Sequence, residues 1–132
     1  MSSEESRTIR MQSRYRGCLL GLAVGDALGG PVEFMTTEQI IAKRGKPVRE
    51  MIGGGWLKLR PGETTDDTAM ARALAESLVA VGGFDAADVA ARYVRWMQSK
   101  PPDIGNITRI ALRADRAALR LRRAPADRCV AR

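Results

Sequence analysis

Six consecutive oxygen-bearing side chains, Glu63-Thr64-Thr65-Asp66-Asp67-Thr68, stand at the entry to an apolar helical pattern. Two adjacent carboxylates flanked by hydroxyls offer a hard divalent cation all-oxygen ligation, which suits magnesium or manganese. Neighbouring residues at a helix start diverge by about 100 degrees, so Asp66 and Asp67 can address two cations, or one cation and its water. The same residues have a structural reading. Acidic residues in a first turn are favoured by roughly 0.3 to 1 kcal/mol each, and Thr64 with Asp67 three positions later has the spacing of a capping pair. A cap alone leaves Thr65, Asp66 and Thr68 without a role, and that remainder favours ligation.

The chain contains no His, so acid/base or metal chemistry must rest on carboxylates and hydroxyls. Asp26 shares a helix face with Leu22, which predicts an inward carboxylate in need of a partner, either a nearby helix cap or a ligand. Glu33 follows a Gly29-Gly30-Pro31 break; it reads as a loop surface charge or as an acid placed beside accessible backbone. Asp103 before Gly105 suits a turn, and Asn106 suits the cap of a last helix.

The elements that must position these groups are predicted to be helices. A first helix is expected from Ser13 or Arg14 to Leu28 or Gly29. Gly17, Gly21, Gly25 and Gly29 recur along it at every fourth residue, at about 1 kcal/mol of propensity each; close helix packing or backbone access for a ligand would offset that cost. A short helix follows from Thr37 to Lys43. Gly45 to Gly62 reads as a long glycine-rich loop, with Trp56 to Leu59 as a possible strand. Met70, Leu74, Leu78 and Val81 mark the apolar stripe of the helix that Thr64 would cap, and Asp85 opens another, with Val89, Tyr93, Trp96 and Met97 on its apolar side. A final helix from Thr108 to Arg123 presents Ile110, Leu112, Leu119 and Leu121.

Two further features bound the reading. Cys18 and Cys129 lie in unrelated contexts and are expected to be free thiols. The polar N-terminus and the lack of a long apolar run point to a cytoplasmic protein with no membrane segment. The net charge of +7 is concentrated at one end: residues 109–132 hold eight Arg, no Lys and two Asp, leaving +1 for everything before them.

Arg16-Gly17-Cys18-Leu19-Leu20-Gly21-Leu22-Ala23-Val24-Gly25-Asp26-Ala27-Leu28-Gly29, followed by Pro31 and Glu33, closely resembles the opening segment of the ADP-ribosylglycohydrolase family, which includes the dinitrogenase-reductase activating glycohydrolases. Thr65-Asp66-Asp67-Thr68 resembles its first metal motif and Asp103-Ile104-Gly105-Asn106 a downstream block, in the family's order. The resemblance implies an all-α fold of orthogonal helices, of which this chain is the N-terminal part, and two magnesium or manganese ions held between motifs from both ends. It makes Thr65, Asp66 and Asp67 metal ligands. Glu33 becomes the acid near the substrate ribose, and Asp103 and Gly105 become part of the ADP-ribose lining. Glu33, Asp66 and Asp67 are thereby the catalytic candidates. The implied activity is hydrolysis of an N- or O-glycosidic bond to ADP-ribose, on a modified protein or an ADP-ribose-containing small molecule.

Family members run to about twice this length and carry a second aspartate-rich motif near the C-terminus, which this sequence does not contain. Two cations need about twelve oxygens, fewer with shared bridges, so Thr65, Asp66 and Asp67 are too few and an inactive or incomplete site is expected. The expected organisation is residues 1–108 as the N-terminal part of the domain and 109–132 as an Arg-rich tail arising by truncation or a change of reading frame. The alternative is a noncatalytic helical binding module whose basic tail holds a polyanion such as nucleic acid.

Overall fold

The computed structural model describes residues 3–123, with side chains placed up to residue 117. Its elements are α1 (Ser3–Gly29), a short 3-10 turn (Gly30–Val32), α2 (Thr37–Arg44), α3 (Asp66–Val81), α4 (Ala86–Gln98) and α5 (Asn106–Arg123). The β-type pairing among the described residues is an isolated antiparallel bridge, Gly54 to Leu59. No single helix among them is long and apolar enough to cross a membrane; the α1 segment and α2 meet that test only together, as a pair bent by 79°. The chain divides into two compact units, Met1–Ala71 and Arg72–Arg132.

In the first unit α1 begins ten residues before the expected start, because Ser3 to Ser13 is helical without any apolar periodicity to announce it. Only Ala27 of its 27 residues is buried. Pro31 ends the α-helix, as its missing N–H and fixed φ require, and the chain passes into the 3-10 turn. Helix α2 is closed at both ends by local chemistry. The Thr36 hydroxyl accepts from Gln39 N–H at 3.3 Å and Gln39 Oε1 accepts from Thr36 N–H at 2.8 Å. Gly45, at φ 71°, terminates the helix by donating its N–H to Ile41 O at 2.6 Å.

The long loop is shortened by a tight turn rather than a strand. Gly54 and Leu59 exchange N–H···O bonds of 2.7 and 2.9 Å, which places Trp56 at the turn's tip. Glycine is needed here for two reasons. Gly55 has φ 75°, and a Cβ at that position would come within 2.9 Å of Pro31 Cα and 3.0 Å of Gly30 O. The turn therefore lies directly against the backbone of the 3-10 segment.

In the second unit, Asp85 caps α4 as its spacing predicts, accepting from Ala87 and Asp88 N–H at 2.8 and 3.2 Å. Val94, Ile104 and Leu112 form the buried cluster, with Tyr93, Trp96 and Met97 packed against it. The buried positions of α3 are Ala73 and Ser77, while Leu78 and Val81 of the expected stripe are exposed. Ser77 donates its hydroxyl to Asp88 Oδ2 at 2.6 Å, and Arg92 Nε donates to the same oxygen at 2.6 Å. The Arg92 bond, then the Ser77 bond, holds the Asp88 carboxyl below the usual carboxylate range. Helix α5 runs without interruption through residue 109 and buries Leu112, whereas Ile110 is exposed. The expectations for Leu119, Leu121 and Cys129 lie outside the described side chains.

Candidate functional site

Asp26 is the organising residue of the first unit. It stands one turn before the end of α1, and its carboxylate takes four hydrogen bonds from the start of α3. Oδ2 accepts from Thr65 N–H at 2.8 Å, Thr68 N–H at 3.2 Å and the Thr68 hydroxyl at 2.5 Å, while Oδ1 accepts from the Thr65 hydroxyl at 2.5 Å. A helix start leaves its first N–H groups without intrahelical partners. Here an acid 39 residues away in sequence supplies the acceptor. Burial is the largest single influence on Asp26 and pushes its carboxyl up, but the hydroxyl and amide bonds from Thr65 and Thr68 together outweigh it. The net result is a carboxyl held below its ordinary value.

This arrangement corrects the expected cap. Helix α3 begins at Asp66 and its first backbone bond runs from Ala69 N–H to Thr65 O, so Thr65 occupies the capping position and Thr64 lies outside the helix. The Thr64 and Asp67 pattern was locally valid; the distant carboxylate supplied a charged acceptor in place of a neutral hydroxyl.

Asp66 and Asp67 are the first two residues of α3, half-buried and exposed respectively. Among the described residues no group of three His, Cys, Asp or Glu side chains could hold a metal ion. The oxygen donors of Thr65, Asp66 and Asp67 suit magnesium or manganese in type, but their number does not fill the shells of two ions.

Glu33 closes the 3-10 turn with extended backbone, φ −52° and ψ 140°. Its Oε2 accepts from Trp56 Nε1–H at 2.9 Å, so the tip of the glycine turn pins the carboxylate that follows Pro31. Phe34, 83% exposed and held at φ 61°, packs at a tilt on Trp56 with ring centroids 6.0 Å apart. Left-handed backbone in a non-glycine residue is uncommon and concentrates at functional sites. Sequence reasoning placed Trp56 in a possible strand and missed this role; a lone Trp directly after three glycines was the available signal.

Asp103 and Gly105 belong to the second unit. Asp103 Oδ1 is buried, and no hydrogen-bond donor among the described residues reaches it. Gly105 O accepts the first α5 bond, from Arg109 N–H at 2.9 Å. That makes Gly105 the capping position in place of Asn106, whose side-chain oxygen instead accepts from Arg109 Nη1 at 3.4 Å.

A family model described as ADP-ribosylglycohydrolase matches residues 7–130. The ADP-ribosyl-(dinitrogen reductase) glycohydrolase of Rhodospirillum rubrum is 50% identical over 103 residues, which cover 78% of this chain and 35% of that protein. The ADP-ribosylarginine hydrolase Tri1 of Pseudomonas putida is 43% identical over 106 residues, covering 75% of this chain and 27% of its own length. A chain of a solved ADP-ribosylglycohydrolase-related protein complex superposes with a TM-score of 0.63 at 46% identity, over 76% of this chain and 32% of that one. The chain thus spans about a third of the length of the curated relatives it matches.

Proposed function

Because this chain belongs to the ADP-ribosylglycohydrolase family, we propose that it carries the amino-terminal share of a site that hydrolyses ADP-ribosyl glycosidic bonds. Its substrate would be an ADP-ribosylated protein or an ADP-ribose-containing small molecule. The observation that carries this reading is the Asp26 clamp. By taking the Thr65 hydroxyl proton on Oδ1, Asp26 turns the oxygen lone pairs of Thr65 away from itself, which is the orientation a cation ligand needs. The same clamp fixes the backbone from which Asp66 and Asp67 project.

Under this proposal Thr65, Asp66 and Asp67 are the chain's contribution to a magnesium or manganese site. They fit such ions by donor type and fall short by number, so the chain's residues alone define no hydrolytic step. Glu33 faces the ribose. With Oε2 occupied by Trp56, its Oε1 remains to orient a ribose hydroxyl, which is a positioning contribution. Asp103 and Gly105 contribute to the lining of the ADP-ribose site, with Gly105 offering its exposed backbone.

The test is a chimera in which this chain's residues replace the matched segment of the Rhodospirillum rubrum relative. Retained hydrolysis of an ADP-ribosylated protein with added manganese is expected, and Asp66→Ala in the chimera should lower it by at least about a hundredfold. A folded but inactive chimera would sink the proposal. A second reading, a noncatalytic helical module with a polyanion-binding basic end, rests on the eight Arg against two Asp of residues 109–132. It requires ADP-ribose or nucleic-acid binding by the chain and an inactive chimera.

A further inference from the structure

Helix α1 carries an apolar face that nothing in its own unit covers. Leu20 and Val24 form one row along it and Cys18 and Leu22 another, each at i, i+4 spacing, and all four side chains are exposed. Gly17, Gly21 and Gly25 run between the rows, so the face is a groove with apolar walls and a backbone floor. Such a surface takes the ridge of a second helix at close range.

Each glycine weakens the helix relative to alanine, a loss that close packing offsets. Among the described residues that packing is missing: a Cβ at Gly17, Gly21 or Gly25 would meet nothing within 4 Å, and Ala27 is the buried residue of the helix. A second copy of the chain is a poor occupant. Arg7, Arg10 and Arg14 continue the same face towards the N-terminus at spacings of three and four. An antiparallel copy would set these arginines against its neighbour's apolar rows, and a parallel copy would set them against each other.

We infer that this groove seats an apolar helix from the part of an ADP-ribosylglycohydrolase domain that lies outside the matched segment, and that the chain binds that part when it is supplied as a separate polypeptide. The groove lies within the residues that the family model matches. The matched residues make up 35% of the Rhodospirillum rubrum relative, so the larger share of such a domain remains to cover the face. The inference rests on family membership and on the open groove. It does not rest on hydrolysis, because its readout is association.

The test is co-expression of the full chain with the part of the Rhodospirillum rubrum relative outside its matched segment, followed by sedimentation equilibrium at about 0.15 M salt to screen long-range charge effects. A complex of one chain with one partner is expected. Gly21→Leu should weaken it by about tenfold or more by filling the groove, and Leu20→Glu should do the same by setting a charge against an apolar helix. Ile9→Ala removes a side chain that is 54% exposed on α1 before the groove begins, and should change binding by less than about twofold. Circular dichroism melts of the free chain should show Gly21→Leu at least as stable as the wild type, since leucine is the better helix former and its Cβ has room. Failure to form the mixed complex overturns the inference. So does a Gly21→Leu chain that binds as tightly or more tightly, the result that general apolar adhesion would give, or a chain that pairs with itself in preference to the partner. A one-to-one complex without hydrolysis would count against the hydrolytic reading and leave this one standing.

Discussion

Asp26 is a single side chain on which the geometry of an entire helix start depends. Its carboxylate accepts two amide and two hydroxyl protons, and an amide side chain replaces it only by giving up the charge and turning Nδ2 to the Thr65 hydroxyl, which must then accept instead of donate. Asp26→Asn is therefore expected to destabilise the chain by about 1.5 to 3 kcal/mol near neutral pH, the range for hydrogen bonds to a charged group. The pH dependence has a definite sign. The folded carboxyl lies below its ordinary value, so its contribution is complete above the unfolded value of about 3.9 and is lost as pH falls through the folded one. Denaturant unfolding from pH 7 to pH 3 should show the gap between wild type and Asp26→Asn narrowing at the acid end. A gap that stayed constant or widened would contradict the clamp.

At the scale of elements, glycine has opposite consequences in two places. Gly55 combines φ 75° with backbone atoms of Gly30 and Pro31 at 2.9 to 3.0 Å from where a Cβ would sit, whereas a Cβ on Gly21 in α1 would meet nothing within 4 Å. Gly55→Ala should cost at least about 1 to 2 kcal/mol from left-handed backbone alone, and it should detach the turn that carries Trp56. Gly21→Ala should stabilise the chain by about 0.8 to 1 kcal/mol through helix propensity. Thermal melts of the two variants should move in opposite directions. The same contrast explains what the sequence disclosed. One cap built from neighbours was legible: Asp85 announced α4, and the apolar spacing of Val89 to Met97 gave its inner side. Contacts closed over distance were not. Asp26 was expected to turn inward and meet a helix cap, as it does, but its donors Thr65 and Thr68 were not named by the Thr64 and Asp67 pattern, and Glu33 carried no mark of Trp56, 23 residues later. Among the candidate site residues, Thr65, Asp66, Asp67 and Glu33 were proposed from type and resemblance. Their fixing partners required the fold.

For the whole molecule, the balance lies between exposed apolar side chains and charge. Leu20, Val79, Phe84 and Ile107 are each at least 65% exposed and offer apolar surface for association, while a net charge of +7 opposes it by repulsion. Raising salt shortens the Debye length from roughly 30 Å at 0.01 M to roughly 3 Å at 1 M and leaves the apolar attraction in place. Sedimentation velocity should accordingly show larger species at high salt, and Leu20→Glu should reduce them; smaller species at high salt would mean that ionic contacts dominate. The Asp26 clamp also acts in time. Its partners are 39 and 42 residues downstream, so the loop-closure entropy between them must be met before the acceptor arrives, and until then the first turn of α3 has only water for its free amides. The helix that bears Asp66 and Asp67 therefore gains its charged acceptor only once the chain has folded back on α1.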